Sequence, residues 1–267
     1  MLEHKAKKSL GQNFLTAQSV VKDIVRAGDI LTGDTILEIG PGKGVLTRAL
    51  LATGATVIAV EKDDSLFAYL QKIFALEIAE KKFVLYNGDI LEMLPTILLP
   101  SNYKLIANIP YNITGKIISD FLAAENKPNQ MVLMVQYEVA ARIAARDGKA
   151  SILSTAVRAY GKPKLIKRVS AGSFFPKPRV DSAVLQISDI SNTFFKENNM
   201  PEKTFFKVLK AGFAHKRKKL TSNLKEVFPL HDWGSVLVDL GLDSNTRAED
   251  IDIIVWGKLT RVVTVSE

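Results

Sequence analysis

Leu37-Glu38-Ile39-Gly40-Pro41-Gly42-Lys43-Gly44 is the stretch that decides how this chain folds. Thr35 to Ile39 is a short apolar run of the kind that forms a strand buried on both faces, and three glycines at alternate positions follow it at once. Glycines in that place let the backbone turn tightly and let a ligand come close. Outward from this point, Thr56 to Val60, Lys82 to Tyr86, Lys104 to Ala107 and Met131 to Gln136 repeat the strand character. Amphipathic stretches separate them, as in Ser65 to Glu80, where Leu66, Leu70, Ile73 and Phe74 share a face. Such alternation predicts an α/β fold with a doubly wound, Rossmann-like parallel sheet and right-handed crossovers.

Two further strands, Lys164 to Val169 and Ser182 to Ile187, have no helix between them, only a loop with Phe174-Phe175-Pro176-Lys177-Pro178. They are expected to pair antiparallel at one end of the sheet. Ser188 to Met200 is polar and aperiodic and reads as a linker, centred on 191–200. Thr204 to Phe228, Asp232 to Leu240 and a short stretch around Ala248 to Gly257 read as helices. The expected organisation is a first domain over 1–190 and a smaller all-helical domain over 201–267.

The glycine spacing is G-x-G-x-G, whereas dinucleotide sites carry G-x-G-x-x-G. Glu38 would repel a pyrophosphate but suits a cationic amine and a sulfonium. Glu61 ends the second of these strands, where a ribose diol would lie, and Asn87-Gly88-Asp89 ends the third with a carboxylate for an adenine amine. Together these favour S-adenosylmethionine over a nicotinamide cofactor or an empty glycine-rich turn.

Asn108-Ile109-Pro110-Tyr111 follows the fourth of these strands, on the same carboxyl edge. An exocyclic adenine amine is a poor nucleophile because its lone pair is delocalised into the ring. The Asn108 amide oxygen and a backbone carbonyl held by Pro110 would each accept one of its N–H bonds. That would localise the lone pair and aim it at a methyl sulfonium, by orientation and electrostatics without a metal. Tyr111 offers a stacking face, worth about 1–3 kcal/mol for a base. An ordinary Asn-x-Pro turn is the bland alternative.

These residues resemble the ribosomal RNA adenine dimethyltransferases of the KsgA type. The resemblance runs from Lys8-Ser9-Leu10-Gly11-Gln12-Asn13-Phe14-Leu15 through the glycine loop, Glu61-Lys62, Asn87-Gly88-Asp89-Ile90 and Asn108-Ile109-Pro110-Tyr111-Asn112. It continues in Val135-Gln136-Tyr137-Glu138-Val139-Ala140, where Tyr137 replaces a usually basic residue, and in Gly172 to Val184. It implies that Gln12, Asn13, Leu15, Glu38, Gly40, Gly42, Gly44, Glu61, Lys62, Asp89, Ile90 and Asn108 hold the cofactor. It also implies that Tyr111 and Phe174 or Phe175 sandwich a flipped adenine beside Asn108, Ile109 and Pro110. The implied substrate is a pair of adjacent adenosines near the 3′ end of small-subunit (16S) ribosomal RNA in an assembly intermediate, each taking two methyls.

The close competitor is the antibiotic-resistance methyltransferase acting on large-subunit RNA. Phe213-Ala214-His215-Lys216-Arg217-Lys218-Lys219-Leu220 and Asn223-Leu224-Lys225 resemble the small-subunit branch, with lysines where arginines are more usual. Lysine keeps the charge but loses the bidentate fork. A DNA adenine methyltransferase and an assembly factor that acts mainly by binding are the remaining rivals.

Of 267 residues, 36 are Lys or Arg and 28 Asp or Glu, giving a net charge of +8 that suits a polyanion. Lys216, Arg217, Lys218 and Lys219 form the densest cluster, read as lying on a helix, and Lys177 and Arg179 flank the aromatic loop. All six are read as RNA-binding, tracking backbone and shape more than base sequence. The chain has no cysteine, which excludes disulfides and cysteine-held metal. His4, His215 and His231 lack ligand spacing, so no metal is expected. No run reaches the roughly 18 apolar residues of a membrane helix, and Lys5, Lys7 and Lys8 precede no apolar signal core. The expectation is a cytoplasmic monomer without membrane contact.

Overall fold

The computed structural model describes residues 6–7, 10–144 and 148–266; His4, Lys5, Lys8 and Ser9, named above, lie outside them. After a two-residue strand β1 (Phe14–Leu15) come β2 (Thr35–Ile39), β3 (Thr56–Glu61), β4 (Phe83–Asn87), β5 (Lys104–Asn108) and β6 (Gln130–Gln136). They are followed by β7 (Lys162–Val169), β8 (Phe174–Phe175) and β9 (Ser182–Ser188). Seven of them form one sheet in the order β4-β3-β2-β5-β6-β9-β7. β2 to β6 pair in parallel, and β9 inserts antiparallel between β6 and β7. The antiparallel end is therefore where the sequence placed it.

The central strands are apolar because both of their faces are covered. Leu105, Ile106 and Ala107 in β5 and Met131 to Val135 in β6 have no exposed surface. Full burial of a Leu or Ile side chain contributes about 1.5–3 kcal/mol. β4, at one edge, has three half-buried residues in its middle, and β7 at the other alternates lysines with Leu165 and Val169.

Chain order reverses between β2 and β5, which are neighbours in the sheet. A crevice opens at such a switch point, beyond the carboxyl ends of the strands. Leu37 pairs with Leu105, so three residues further on Gly40 and Asn108 leave the sheet side by side. β3 and β4 end together in the same way, with Glu61 opposite Asn87. One sheet edge thus collects all four loops.

The helices begin with α1 (Gln18–Ala27), which buries Val20, Val21, Ile24 and Ala27, and α2 (Val45–Leu51), which follows the glycine loop. Residues 65–80, read as one helix, form α3 (Asp64–Ile73) and α4 (Ala75–Ala79), broken at Phe74 (φ −114°, ψ 25°). Leu66, Leu70 and Phe74 are buried as expected. α5 (Ile90–Met93) and α6 (Thr114–Ala123) follow β4 and β5, and α7 (Tyr137–Ile143) follows β6.

The chain divides into two compact units: residues through Ala140 with Lys162–Ile190, and Ala141–Gly161 with the residues from Ser191 onward. The second unit thus takes in 141–161 as well as the residues from Ser191, where one continuous run over 201–267 is the expectation from sequence. That segment carries α8 (Ile152–Tyr160), started by a reciprocal bond between Ser151 and Ser154. The supposed linker holds α9 (Thr193–Glu197), whose Phe195 is buried among Tyr160, Phe194, Phe205 and Phe206. Residues 204–228 are two helices, α10 (Glu202–Gly212) and α11 (Leu220–Val227). α12 (Trp233–Asp239) and the longer-than-expected α13 (Ile253–Ser266) complete the unit.

Trp233 and Trp256 are both in its core. Gly212 must be glycine, because a Cβ there would lie 2.3 Å from the Trp256 ring. Lys216 to Lys219 do not lie on a helix: they form an exposed turn between α10 and α11. The buried Asn223 amide donates to the Gly212 and His215 carbonyls (2.6 and 3.1 Å), which ends α10 and bends the chain.

Candidate active site

A cavity in the first unit is lined by the glycine loop, by the ends of β3, β4 and β5, and by residues 10–15. Gly42 adopts φ 59°, and a Cβ there would press on the Phe14 ring at 3.1 Å. Its N–H donates to Glu61 Oε2 (3.0 Å), and the Asp63 N–H donates to Glu61 Oε1 (2.9 Å). Glu61 is thus held in place by two backbone amides, with lone pairs remaining for a diol. Burial nonetheless pushes its carboxyl up.

Glu38 is 1% exposed and accepts a bond from Thr47 Oγ1 (2.7 Å). Burial, reinforced by the neighbouring Glu61 carboxylate, raises its pKa to about 8, although the Thr47 bond works the other way. Neither Glu38 nor Glu61 is ion-paired among the described residues. Two buried carboxyl groups without a cation make this a poor pocket for a pyrophosphate and a good one for a ligand carrying positive charge.

Asp89 caps α5 by accepting from the Leu91 N–H (2.9 Å), while its other oxygen takes Lys62 Nζ (2.7 Å). Partial burial opposes ionisation there, but those two donors win and hold its carboxyl below the ordinary range. The expected adenine acceptor is therefore already shared with a lysine whose side chain is 57% exposed.

Asn108 Nδ2 donates to the Asn13 carbonyl (3.0 Å). That bond fixes which end of the amide faces which way, and leaves Oδ1 as the acceptor end. The Pro110 carbonyl receives the Ile113 N–H and Thr114 Oγ1 (3.3 and 3.4 Å). The Ile109 carbonyl receives no bond among the described residues. Tyr111 Oη shares a 2.6 Å hydrogen bond with Ser182 Oγ, which fixes the ring, and burial raises the phenol pKa further above neutrality.

Residues 10–15 reach the cavity because β1 pairs antiparallel with β8, Phe14 opposite Phe175 and Leu15 opposite Phe174. Adjacent strand residues point to opposite faces, so the two phenylalanines cannot serve alike. Phe174 is buried in the core at 3% exposure; Phe175 is 69% exposed. Phe174 is corrected from a base-stacking face to a core residue. Lys177 and Arg179 are exposed on the same loop. Its far end is tied by Asp181, which accepts from Arg168 Nε and Nη2 and from the Ala171 N–H (3.0, 2.9 and 3.1 Å).

Gln12, Asn13, Leu15, Glu38, Gly40, Gly42, Glu61, Lys62, Asp89, Ile90, Asn108, Ile109, Pro110 and Tyr111 all line the cavity. Gly44 does not. It starts α2 at φ 74°, where a Cβ would lie 2.6 Å from Phe74, so its role is packing. Lys43 and Asn112 line the cavity unannounced, as does Phe14, over whose ring Lys43 Nζ sits at 5.1 Å. Among the described residues no cluster of His, Asp and Glu forms a metal site. His215 pairs with Glu226, and His231 stacks on Trp233 with no partner for its ring nitrogens among the described residues.

Residues 3–262 match the family model described as ribosomal RNA adenine dimethylase. A ribosomal RNA small subunit methyltransferase A from Dehalococcoides mccartyi is 41% identical over 96% of this chain and 87% of its own length. One from Syntrophotalea carbinolica is 37% identical over 98% of both chains. In fold, the chain is similar to a dimethyladenosine transferase from Plasmodium falciparum (TM-score 0.77, 24% identity, 94% and 98% of the two chains). It is also similar to the 23S rRNA methyltransferase ErmE (TM-score 0.75, 21% identity, 93% and 98%). The family's enzymes are S-adenosylmethionine-dependent methyltransferases, and the two unpaired buried carboxyl groups fit that cationic donor. This chain belongs to the ribosomal RNA adenine dimethylase family.

Proposed function

We propose that this chain dimethylates the N6 amines of two adjacent adenosines near the 3′ end of small-subunit ribosomal RNA, in a cytoplasmic assembly intermediate, acting as a monomer. The observation that carries the reading is the single cavity edge shared by the glycine loop and Asn108, with the Asn108 amide turned by the Asn13 carbonyl. S-adenosylmethionine, held by Gln12, Asn13, Leu15, Glu38, Gly40, Gly42, Glu61, Lys62, Asp89 and Ile90, supplies an electrophilic methyl on a sulfonium.

The chain's own groups do the rest. Asn108 Oδ1 and the Ile109 carbonyl accept the two amine hydrogens and localise the lone pair. Pro110 keeps the loop rigid, and Tyr111 stacks on the flipped base with Phe175 as the second face. Orientation of this kind can supply several kcal/mol of a barrier, and about 7–11 kcal/mol at its best. No histidine or lysine sits in the reaction loop, so the proton released at each transfer goes to water. A monomethylated amine keeps one N–H, which is enough to be oriented for the second transfer.

The choice of small over large subunit rests on sequence: the relatives at 37–41% identity carry the small-subunit name, whereas the fold likeness extends to a 23S enzyme. Lys177, Arg179, Lys216, Arg217, Lys218 and Lys219 are the proposed phosphate contacts. The test is methyl transfer from labelled S-adenosylmethionine to small subunits lacking the modification, followed by mass mapping. Dimethyladenosine at two adjacent 3′-end positions is expected; label on large-subunit RNA or DNA instead would overturn the substrate assignment.

A further inference from the structure

We propose that Asp63 is a positioning residue that, through Lys7 and Gln12, latches residues 10–15 of the cavity wall and so governs how long the cofactor stays bound. The inference rests on the reading that this cavity holds S-adenosylmethionine. Asp63 does not line the cavity, yet its side chain is completely buried and accepts from Lys7, Gln12 and Ser65. Oδ1 accepts from Lys7 Nζ (3.0 Å), from the Ser65 N–H (3.0 Å) and from Ser65 Oγ (2.6 Å). Oδ2 accepts from Gln12 Nε2 (3.0 Å). Its own N–H holds Glu61.

Lys7 and Gln12 are also joined to each other, through the Lys7 N–H and Gln12 Oε1 (2.7 Å). The Leu10 N–H also donates to the Lys7 carbonyl (3.1 Å). Lys7 and Gln12 therefore form a hook whose two donors converge on one carboxylate. Further along, the chain is held by the Asn108 amide at Asn13 and by β8 at Phe14 and Leu15. Burial alone would push the Asp63 carboxyl up; the Ser65, Lys7 and Gln12 donors outweigh it and keep the group ionised. A buried carboxylate that accepts from both Lys7 and Gln12 ties the two together, and losing either donor weakens its compensation for burial. Gln12, Asn13 and Leu15 line the cavity wall, so cutting the tie at Lys7 and Gln12 loosens that side of the wall at its Gln12 end, while the Asn13–Asn108 bond and the pairing of β1 with β8 stay in place.

The test uses the full chain and S-adenosylmethionine. Asp63→Asn keeps the size of the side chain and a good helix cap for α3 but loses the charge and one acceptor. Lys7→Met removes the other end at a residue half exposed to solvent, where misfolding is not at issue. Each variant is expected to speed cofactor release about tenfold, equivalent to losing roughly 1.4 kcal/mol. kcat at saturating cofactor should stay within about twofold, since the loss is in ground-state binding. In the cofactor-free protein, amide exchange of residues 10–15 should accelerate while the β2 to β6 amides stay protected. The double variant should release no faster than the worse single one, because both cut the same tie. Release and exchange rates unchanged in Lys7→Met would overturn the latch, as would additive effects in the double variant. Failure of the wild-type protein to bind S-adenosylmethionine would instead sink the cofactor assignment, with the exchange measurement still reporting on the hook.

Discussion

The cavity wall and the basic turn are built by opposite means. In the cavity, Glu38 and Glu61 are buried and each carboxyl group is aimed by a named bond; Asn108 is aimed by one to the Asn13 carbonyl. In the turn at 213–219, Lys216, Arg217 and Lys219 are exposed, and only the backbone is fixed, through Asn223. Lys218 and His215 share Glu226 (2.7 and 3.1 Å). Exposed pairs of this kind contribute about 0–1 kcal/mol and are screened by salt. The first design sets direction and holds it; the second sets a local density of charge. Rate should therefore depend on the cavity and affinity for RNA on the turn.

The largest effect expected from breaking this division comes from Asn108→Ala. Removing a positioned hydrogen-bonding group from a transition state costs about 10²–10³ in kcat. Single-turnover methyl transfer should fall by that factor while binding of the small subunit is unchanged. A loss of subunit affinity in this variant would break the comparison. On the other side, replacing Lys216 and Arg217 together by Ala should weaken subunit binding roughly tenfold and flatten its salt dependence by about two phosphate equivalents, checked by binding titrations at several salt concentrations. kcat at saturating subunit should not move.

Glu38 sharpens the cavity half. Its pKa in the empty protein is raised to about 8. A raised carboxyl favours the folded state most below the unfolded value of about 4.5, and that contribution is lost as pH rises through 8. A cationic ligand has the opposite preference, since it needs the ionised form. Affinity for S-adenosylmethionine should therefore rise several-fold from pH 6.5 to 8.5, with proton release on binding. Glu38→Gln should abolish that slope; titration calorimetry in two buffers reads both. The smallest effect concerns the second unit alone. Gly212→Ala drives a methyl into Trp256 and should destabilise that unit by about 1–3 kcal/mol, measured by denaturant unfolding followed at tryptophan.

What the sequence made legible follows the same divide. The glycine loop and the reaction loop are contiguous motifs at strand ends, so strand order and loop chemistry could be read together. Phe174 misled because a motif gives neighbours but not faces: pairing of β8 with β1 turned one ring inward and the other outward. The 204–228 region read as one helix because its apolar spacing runs on; the break is made by Asn223 bonding carbonyls 11 and 8 residues earlier, which periodicity does not register. α9 was missed because its stretch is polar overall and only Phe195 is buried. Asp63 carried a signal, since Asp-x-Ser at a helix start is a cap pattern; its ties to Lys7 and Gln12 span more than fifty positions and needed the fold.

The most direct test of this account is the salt dependence of the wild-type reaction under single-turnover conditions, with subunit concentration varied at each salt. Between about 50 and about 200 mM salt, the half-saturating subunit concentration should rise by at least tenfold, as phosphate contacts are screened. The limiting rate constant for methyl transfer should stay within about twofold, because buried, directed bonds are screened far less than exposed charges. A limiting rate that falls in step with affinity would contradict the separation of chemistry from charge.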